Sequence, residues 1–305
     1  MKKSYYPLLI LTVALSISLL IGPFLPQWLL FLVTVSFGKG LVVLGLLLLM
    51  RTGLVSFGQG LYYCLGAYTA GTLGLTLGAT DALLLISGGA LLAGSTAFIL
   101  GFLLAKYRGI FFAMLSLAFS MVLYGLLVKN AALGSTDGFN VSVPTLFGFI
   151  FPGGWIRYVV YAMACLVVFV AALLMNIYLK TPLGRLSPAI KDNEIRVEYM
   201  GASVRQAIHI KYVIAGILAG TGGAVTAITI GHIDPEMAYW TTSGEFVFIT
   251  ILGGTGNVLA PFLGALIFES IRSFAYEYSP NTWQMILGVA LLLVIIFLPS
   301  GLWSV

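Results

Sequence analysis

Long apolar runs, separated by short polar stretches, make up most of this 305-residue chain. The runs repeatedly reach the roughly 20 residues that an α-helix needs to cross the hydrocarbon core of a bilayer. We find no segments with the alternation of apolar and polar residues that is typical of barrel strands. The pattern therefore predicts an all-α polytopic membrane protein.

The runs predict roughly eight to ten transmembrane segments, some of them broken or re-entrant. Residues 245–271 contain the interruption Gly253-Gly254-Thr255-Gly256-Asn257 and then Pro261. Two halves of about ten residues cannot each span the bilayer at 1.5 Å per residue. We expect a re-entrant pair or two short tilted helices there. Unbroken runs occupy residues 7–25, 28–50, 53–77, 82–104, 110–128, 156–179, 212–230 and 283–298.

Composition supports this interpretation, because only 8% of the residues are charged and 60% are hydrophobic. A soluble domain carries about 25% charged residues. We therefore predict a single membrane domain over residues 1–305, whose first apolar run, after Lys2 and Lys3, is an uncleaved span. The net charge of +5 follows from basic residues on the cytoplasmic side, so we expect no nucleic acid partner.

Charge is concentrated between Lys180 and Lys211, which hold nine of the 15 basic and 10 acidic residues. The positive-inside rule makes residues 180–211 the main cytoplasmic loop. Within it we predict a helix from Pro188 to Met200, with Ser187 as its N-cap and Gly201 just beyond its end. Asp192 and Arg196 are spaced to pair on one face. The helix has no purely polar face, so it either docks between the membrane domain and another protein or belongs to an ordinary basic loop.

Two glycine-rich segments, residues 53–66 and 253–264, mark a candidate substrate pathway. Unwound backbone at membrane depth has to line a cavity or be buried in protein. The alternative is close helix packing through small residues. Glu245 is either a pathway group or a carboxylate that stabilises a helix N-terminus. The other pathway candidates are Ser56, Gln59, Ser116, Thr250, Gly253, Gly254, Thr255 and Asn257.

The sequence offers no catalytic site. It has no G-x-x-x-x-G-K-[ST] motif, so we predict that this chain does not itself hydrolyse ATP. His209 and His232 lack the partners of a catalytic triad, and Cys64 and Cys165 have no metal-ligand spacing around them. We therefore predict a non-enzyme that binds no metal or cofactor. An ion-coupled secondary transporter is a less favoured alternative, because Glu245 is its only evident intramembrane charge.

The stretch "TPLGRLSPAIKDNEIRVEYMGASV" from Thr181 resembles the cytoplasmic loop of the permease subunits of branched-chain amino acid ABC importers. Gln59 stands where that family often has His. Four further stretches follow the order of the same family and extend the resemblance over most of the chain: "RTGLVSFGQGLYYCLGAY" from Arg51, "RGIFFAMLSLAF" from Arg108, "GSTDGF" from Gly134 and "ILGGTGNVLAPFLGA" from Ile251.

The resemblance implies an ABC importer permease in the cytoplasmic membrane of a bacterium or archaeon, working by alternating access. Its implied substrates are branched-chain or related small amino acids, with urea, amides and aromatic acids as alternatives. Its implied partners are membrane lipid, a second homologous permease, two ATPase chains that bind ATP and Mg, and an extracytoplasmic binding protein. Asp137 and Phe139 would face the binding protein. The implied ATPase-coupling residues are Ile190, Asn193, Glu194, Arg196, Tyr199 and Gly201.

Overall fold

The computed structural model describes residues 6–149, 151–297 and 301–304. This part of the chain is mainly helical, as predicted, and its one sheet pairs β1 (Phe139–Asn140) with β2 (His232–Ile233) in antiparallel fashion. The helices are α1 (Tyr6–Ile21), α2 (Gln27–Met50), α3 (Gln59–Leu77), α4 (Ala82–Leu104), α5 (Gly109–Lys129), α6 (Gly153–Lys180), α7 (Pro182–Tyr199), α8 (Val204–Ile230), α9 (Trp240–Gly253), α10 (Ala260–Tyr278) and α11 (Trp283–Phe297).

Helix α8 lies at the centre of the bundle and packs against α2, α3 and α4. Small residues allow these backbones to approach closely. A Cβ atom added at Gly66 of α3 would overlap the backbone of Gly220, and one added at Gly45 of α2 would lie 2.8 Å from the Cα of Ala215. Helices α6 and α10 pack on α2, α1 packs on α6, and α9 joins α10 to α2.

Five of the described helices are long and apolar enough to cross a membrane: Gln27–Met50, Ala82–Leu104, Gly109–Lys129, Trp155–Lys180 and Val204–Ile230. Two shorter apolar helices cover Thr12–Phe24 and Trp283–Val294. The apolar pattern thus located the long helices. Five helices of this length and composition agree with the expectation of a multi-pass membrane protein.

Two predicted helix starts are wrong. Helix α3 begins at Gln59 rather than at residue 53, because residues 53–58 are non-helical and Gly53 has a φ of +78°. Helix α8 begins at Val204 rather than at residue 212, since the Ser203 side chain accepts a hydrogen bond from the Gln206 N–H at 3.3 Å and caps the helix. Its polar first turns hid this extension from the hydropathy pattern.

The broken segment 245–271 consists of parts of two helices, α9 and α10, which pack against each other after a turn at residues 254–259. Gly254 has a φ of +85°, a conformation that favours glycine. Arg51, just after α2, holds this turn by donating to the carbonyls of Thr255 at 2.8 Å and Gly256 at 2.9 Å. The glycine pattern correctly predicted the break, but the two helices have 14 and 19 residues and are longer than the predicted halves.

Helix α7 also starts earlier than predicted. Thr181 is its N-cap and Pro182 its first residue, whereas Ser187, the predicted cap, is buried inside the helix. Asn193 interrupts the helix with φ −162° and ψ 98°, and its side-chain oxygen accepts from the Arg196 N–H at 3.0 Å to start the second part. Gly201 follows the end with φ +88°, where its position in the sequence predicted it.

The charged end of the bundle is formed by residues 51–58, 105–108, 180–203 and 254–259. Contacts between Arg51 and Thr255 and between Arg108 and Glu194 connect these segments. The opposite end carries the sheet and residues 78–81, 130–149 and 231–239, where the carbonyl of Thr145 bonds the backbone N–H of Ala82 at 2.9 Å.

Candidate functional site

The inner face of α7 fixes this helix to the membrane bundle. Ile190 is 5% exposed and packs with Val197, Leu49 and Leu54 in the largest hydrophobic core. The Ile190 side chain is therefore buried against its own chain and offers no surface to a partner, so any part that it has in coupling is indirect.

The outer face of α7 carries exposed apolar side chains on the charged end. Tyr199 is 87% exposed, and Ile195 and Met200 are also largely exposed. Among the other predicted coupling residues, Asn193, Arg196 and Gly201 are exposed beside them. Clustered exposed apolar groups rimmed by polar residues are typical of interaction sites. The structure thus separates one face that packs on the bundle from another that is free to bind.

Glu194 forms an ion pair within its own chain. Its Oε2 accepts from the Nε of Arg108 at 2.7 Å, across the turn between α4 and α5. In the described part of the chain no ion pair joins Asp192 to Arg196, contrary to our prediction, because the interruption at Asn193 lies between them and breaks the helical spacing. Sequence spacing alone gave no sign of Arg108 as the partner.

A buried polar cluster surrounds the start of α3. The Ser116 hydroxyl of α5 accepts from the Phe57 N–H at 3.1 Å, and the Ser56 hydroxyl accepts from the Gly58 N–H at 3.3 Å. The Ser243 hydroxyl of α9 accepts from the Gly60 N–H at 2.9 Å. Ser56, Gln59 and Ser116 are thus brought together, and Ser243 joins them although the sequence analysis missed it.

The cluster lies deep in the bundle. Gly71, twelve residues after Gln59, meets Phe139 and Ile233 of the sheet, so the helical rise places Gln59 roughly 18 Å below that sheet. The Gln59 side chain is fully buried, and neither its oxygen nor its nitrogen has a hydrogen-bond partner among the described residues. Such an amide is costly unless another group or water satisfies it.

Glu245 belongs to a second polar site, a four-residue ion cluster of α2, α9 and α10. Its Oε2 lies 3.1 Å from Lys39 Nζ and 3.2 Å from Arg272 Nη1, and Lys39 Nζ is also 2.5 Å from Glu269 Oε1. Glu245 is the sixth residue of α9, so the interpretation that it stabilises the first turn of a helix is wrong.

The sequence analysis did not single out Lys39, Glu269 or Arg272. A lysine in the middle of an apolar run was the available signal, because a charge at that depth needs a partner. Lys39 is only 7% exposed, and the two bases and two acids neutralise one another. Arg272 also lies over the ring of Trp283, 5.3 Å from its centroid. The arrangement can hold charge at membrane depth.

The remaining pathway candidates lie around the α9–α10 turn, apart from the polar cluster at Gln59. Gly253 touches the backbone of Ala260 and Gly264, which is the close packing that we considered as the alternative. Thr250 donates to the carbonyl of Phe246 within α9 at 2.7 Å. The Asn257 side chain accepts from the Leu259 N–H at 3.2 Å and shapes the turn.

Asp137 and Phe139 lie at the opposite end. Asp137 is exposed in a turn in which its N–H donates to the Gly134 carbonyl at 3.1 Å. Phe139 instead packs its ring against Tyr68, with 5.6 Å between ring centroids, so it mainly anchors the loop to α3. Of the two, Asp137 is the residue open to a partner.

Within the described residues, no group of three or more His, Cys, Asp or Glu side chains is placed to hold a metal ion. Cys64 and Cys165 are free and buried. The polar chemistry of the described bundle is therefore that of hydrogen-bonding side chains and the compensated ion cluster.

The profile of a family described as "Branched-chain amino acid transport system / permease component" matches residues 28–296. The chain is 30% identical over 294 residues to the high-affinity branched-chain amino acid transport system permease protein LivM of Escherichia coli (strain K12), spanning 89% of this chain and 68% of that protein. LivM of Salmonella typhimurium is 29% identical with the same coverage. LivH of Salmonella typhimurium is 24% identical over 56% of this chain and 51% of its own length. No solved structure gives a significant match. The chain therefore belongs to the family of permease components of branched-chain amino acid transport systems.

Proposed function

We propose that this permease subunit imports branched-chain or related small amino acids by alternating access, driven by ATP hydrolysis on partner chains. The proposal that ATP hydrolysis on partner chains drives transport rests on the exposed apolar tip of α7. This tip is formed by Ile195, Tyr199 and Met200. A cytoplasmic ATPase subunit is the partner proposed for that tip.

The attachment of α7 suits it to transmit movement. Its buried residues Ile190 and Val197 pack into the core of the bundle, and Glu194 pairs with Arg108 beside α5. A helix held at these points passes a displacement of its tip to the transmembrane helices instead of absorbing it, since packed interiors resist deformation. Asn193, Arg196, Tyr199 and Gly201 form the proposed contact, and Ile190 and Glu194 act as its support.

The proposed membrane domain covers residues 1–305 and crosses the cytoplasmic membrane of a bacterium or archaeon roughly eight to ten times, counting α3, α9 and α10 with the longer spans. A second homologous permease supplies the other half of the pathway. Two ATPase chains carry ATP and Mg, and an extracytoplasmic binding protein delivers substrate to the end that carries Asp137. The names LivM and LivH among the relatives support two permease components.

An ion-coupled secondary transporter is the second candidate, and the ion cluster is the observation that favours it. Glu245 lies in one cluster with three other charged residues, Lys39, Glu269 and Arg272. The argument against a secondary transporter, that Glu245 is its only evident intramembrane charge, therefore no longer holds. Each charge in the cluster is paired, however, which favours fixed charges over a carboxylate poised to exchange protons. Such a transporter also has no need of the exposed tip of α7.

The test is uptake by the complex reconstituted in proteoliposomes with its genomic neighbours. We expect labelled leucine, isoleucine or valine to accumulate only when ATP and the binding protein are present. The matched control carries ATPase chains that bind but do not hydrolyse ATP, and it should give no uptake. Uptake that persists with those chains and stops when ion gradients are collapsed would instead establish the secondary transporter. Accumulation of urea, amides or aromatic acids alone would redirect the substrate assignment.

A further inference from the structure

One face of α9 opens beside the ion cluster. Thr241, Glu245 and Phe248 follow one another at helical spacing, and each is at least partly exposed on the surface of the chain. Gly244 itself is buried, but a Cβ atom added there would meet no atom within 4 Å. There is therefore free space on this face, immediately next to the Glu245 carboxylate.

Along the helix axes, this face lies well away from the helix ends. At 1.5 Å per residue, Glu245 is roughly 8 Å along α9 from Trp240, and Arg272 is roughly 9 Å along α10 from the end at Tyr278. Lys39, which bonds Glu245, is in the middle of the membrane-spanning helix α2. The pair of Glu245 and Arg272 thus lies below the helix ends.

Lipid cannot satisfy partly exposed charges at such a depth. Glu245 is 22% and Arg272 36% exposed, whereas Lys39 and Glu269 lie behind them and are more deeply buried. Charged groups in membrane segments face a water-filled cavity or the interior of a bundle. The open face of α9 therefore borders a polar space, and a pathway shared with a second permease is such a space.

The exposed groups match the two charges of an amino acid. A carboxylate and a guanidinium lie 3.2 Å apart, and a zwitterionic amino acid presents its ammonium and carboxylate groups on a single carbon. Phe248, one turn from Gly244, is 44% exposed and offers an apolar surface to an aliphatic side chain. Arg272 stacks on the ring of Trp283, and Lys39 pairs with Glu245.

We propose that Glu245 and Arg272, on the open face of α9 and α10, form a transient site that binds the ammonium and carboxylate groups of a zwitterionic amino acid during transport. The inference rests on the proposed function and narrows it, because urea and simple amides carry neither charge. The internal ion pair competes with the substrate, so the site binds weakly. Weak binding suits a pathway, in which a substrate has to leave as well as enter.

The test compares two cysteine variants in a background in which Cys64 and Cys165 are replaced by Ala. Each variant is assembled into the whole complex, which hydrolyses ATP in proteoliposomes in the presence of its binding protein. Gly244→Cys places a thiol on the open face. The control is Gly288→Cys, which has open space and lies at a similar distance from the start of α11. Gly288 is exposed, unlike Gly244, and is flanked by the exposed apolar residues Met285, Val289 and Leu292, so a faster reaction at Gly244→Cys cannot come from greater surface exposure. We expect a water-soluble methanethiosulfonate to label Gly244→Cys at least tenfold faster than Gly288→Cys, and saturating L-leucine to slow that labelling severalfold.

A second variant tests whether Arg272 binds the amino acid or only supports the structure of this face. With Arg272→Gln added, the Gly244→Cys thiol should still label rapidly, but L-leucine should no longer protect it. If Gly244→Cys does not assemble, Thr241→Cys on the same face takes its place. Equal labelling of the face and the control, or fast labelling that leucine does not slow, would overturn the inference. Failure of the proposed function is distinct, because the unmodified complex would then show no ATP-driven leucine uptake.

Discussion

Arg108 and Glu194, 86 residues apart in the chain, form an ion pair with 2.7 Å between Nε and Oε2. The pair joins the turn between α4 and α5 to the second part of α7. It therefore connects a membrane-spanning helix directly to the segment that carries the exposed tip. Both side chains are partly exposed, so we expect the pair to add only about 0 to 1 kcal/mol to stability.

The first prediction concerns coupling through this pair. Glu194→Arg puts two cations side by side and should lower the amount of amino acid transported per ATP hydrolysed, while the assembled complex is retained. The double variant Arg108→Glu, Glu194→Arg restores an opposite pair and should recover most of the coupling. The ratio of uptake to ATP hydrolysis measures both. A double variant as impaired as the single one would show that these residues act independently.

The second prediction concerns the exposed tip of α7. Tyr199→Ala removes an aromatic ring that is 87% exposed, so the thermal unfolding midpoint of the isolated permease should not change. Loss of a buried aromatic contact at an interface often costs 2 kcal/mol or more, on the order of a thirtyfold loss of affinity. We expect the ATPase chains to copurify poorly. Tyr107→Ala, also exposed at the charged end but outside α7, is the matched control, and an equal loss in both would contradict a specific role of the tip.

The third prediction concerns orientation in the membrane. Thiols introduced by Glu198→Cys and Thr136→Cys lie at exposed positions on the two ends of the bundle. An impermeant reagent added outside cells should label Thr136→Cys alone, and Glu198→Cys should react only after permeabilisation. The native Cys64 and Cys165 are buried and should contribute little background. Labelling of both positions from outside would refute the topology and the coupling role together.

The fourth prediction tests whether Gly253 serves packing. Gly253→Ala forces a methyl group against the backbone of Ala260, and such overpacking typically costs about 1 to 3 kcal/mol. The thermal midpoint of the purified permease should fall, whereas Gly288→Ala, with open space around it, should leave the midpoint unchanged or slightly higher. An unchanged midpoint in Gly253→Ala would favour the alternative, in which this glycine lines the pathway.

The fifth prediction concerns Lys39 and Glu269. Lys39→Met leaves the Glu269 carboxylate buried beside Arg272 at 3.8 Å as its remaining partner, and breaking a buried pair in this way costs about 3 to 5 kcal/mol. Lys39→Met with Glu269→Gln removes both charges of the shortest contact and should be clearly more stable than the single variant. Thermal unfolding in detergent compares them. Equal losses would mean that the two residues do not depend on each other.

The helical architecture could be predicted from the sequence because it depends on local properties. Hydropathy over a window of about 20 residues located α2, α4, α5 and α6 within a few residues, since each helix satisfies its own backbone hydrogen bonds. The glycine interruption at 253–257 marked the turn between α9 and α10 for the same local reason. The charged stretch likewise indicated the position of α7 and the glycine after it.

Only the tertiary structure decided which side chains meet. The partners of Lys39, Glu245 and Glu269, lie more than 200 residues further along the chain. The pairing of Arg108 with Glu194, which replaced the pair expected between Asp192 and Arg196, also depends on how α7 lies against the bundle. Helical periodicity states which residues share a face, but the direction of that face follows from packing. The sequence by itself thus determined most of the helices and the position of the charged helix α7. The approach of α2, α9 and α10 created the ion cluster, because buried charges have to find partners wherever the fold brings them.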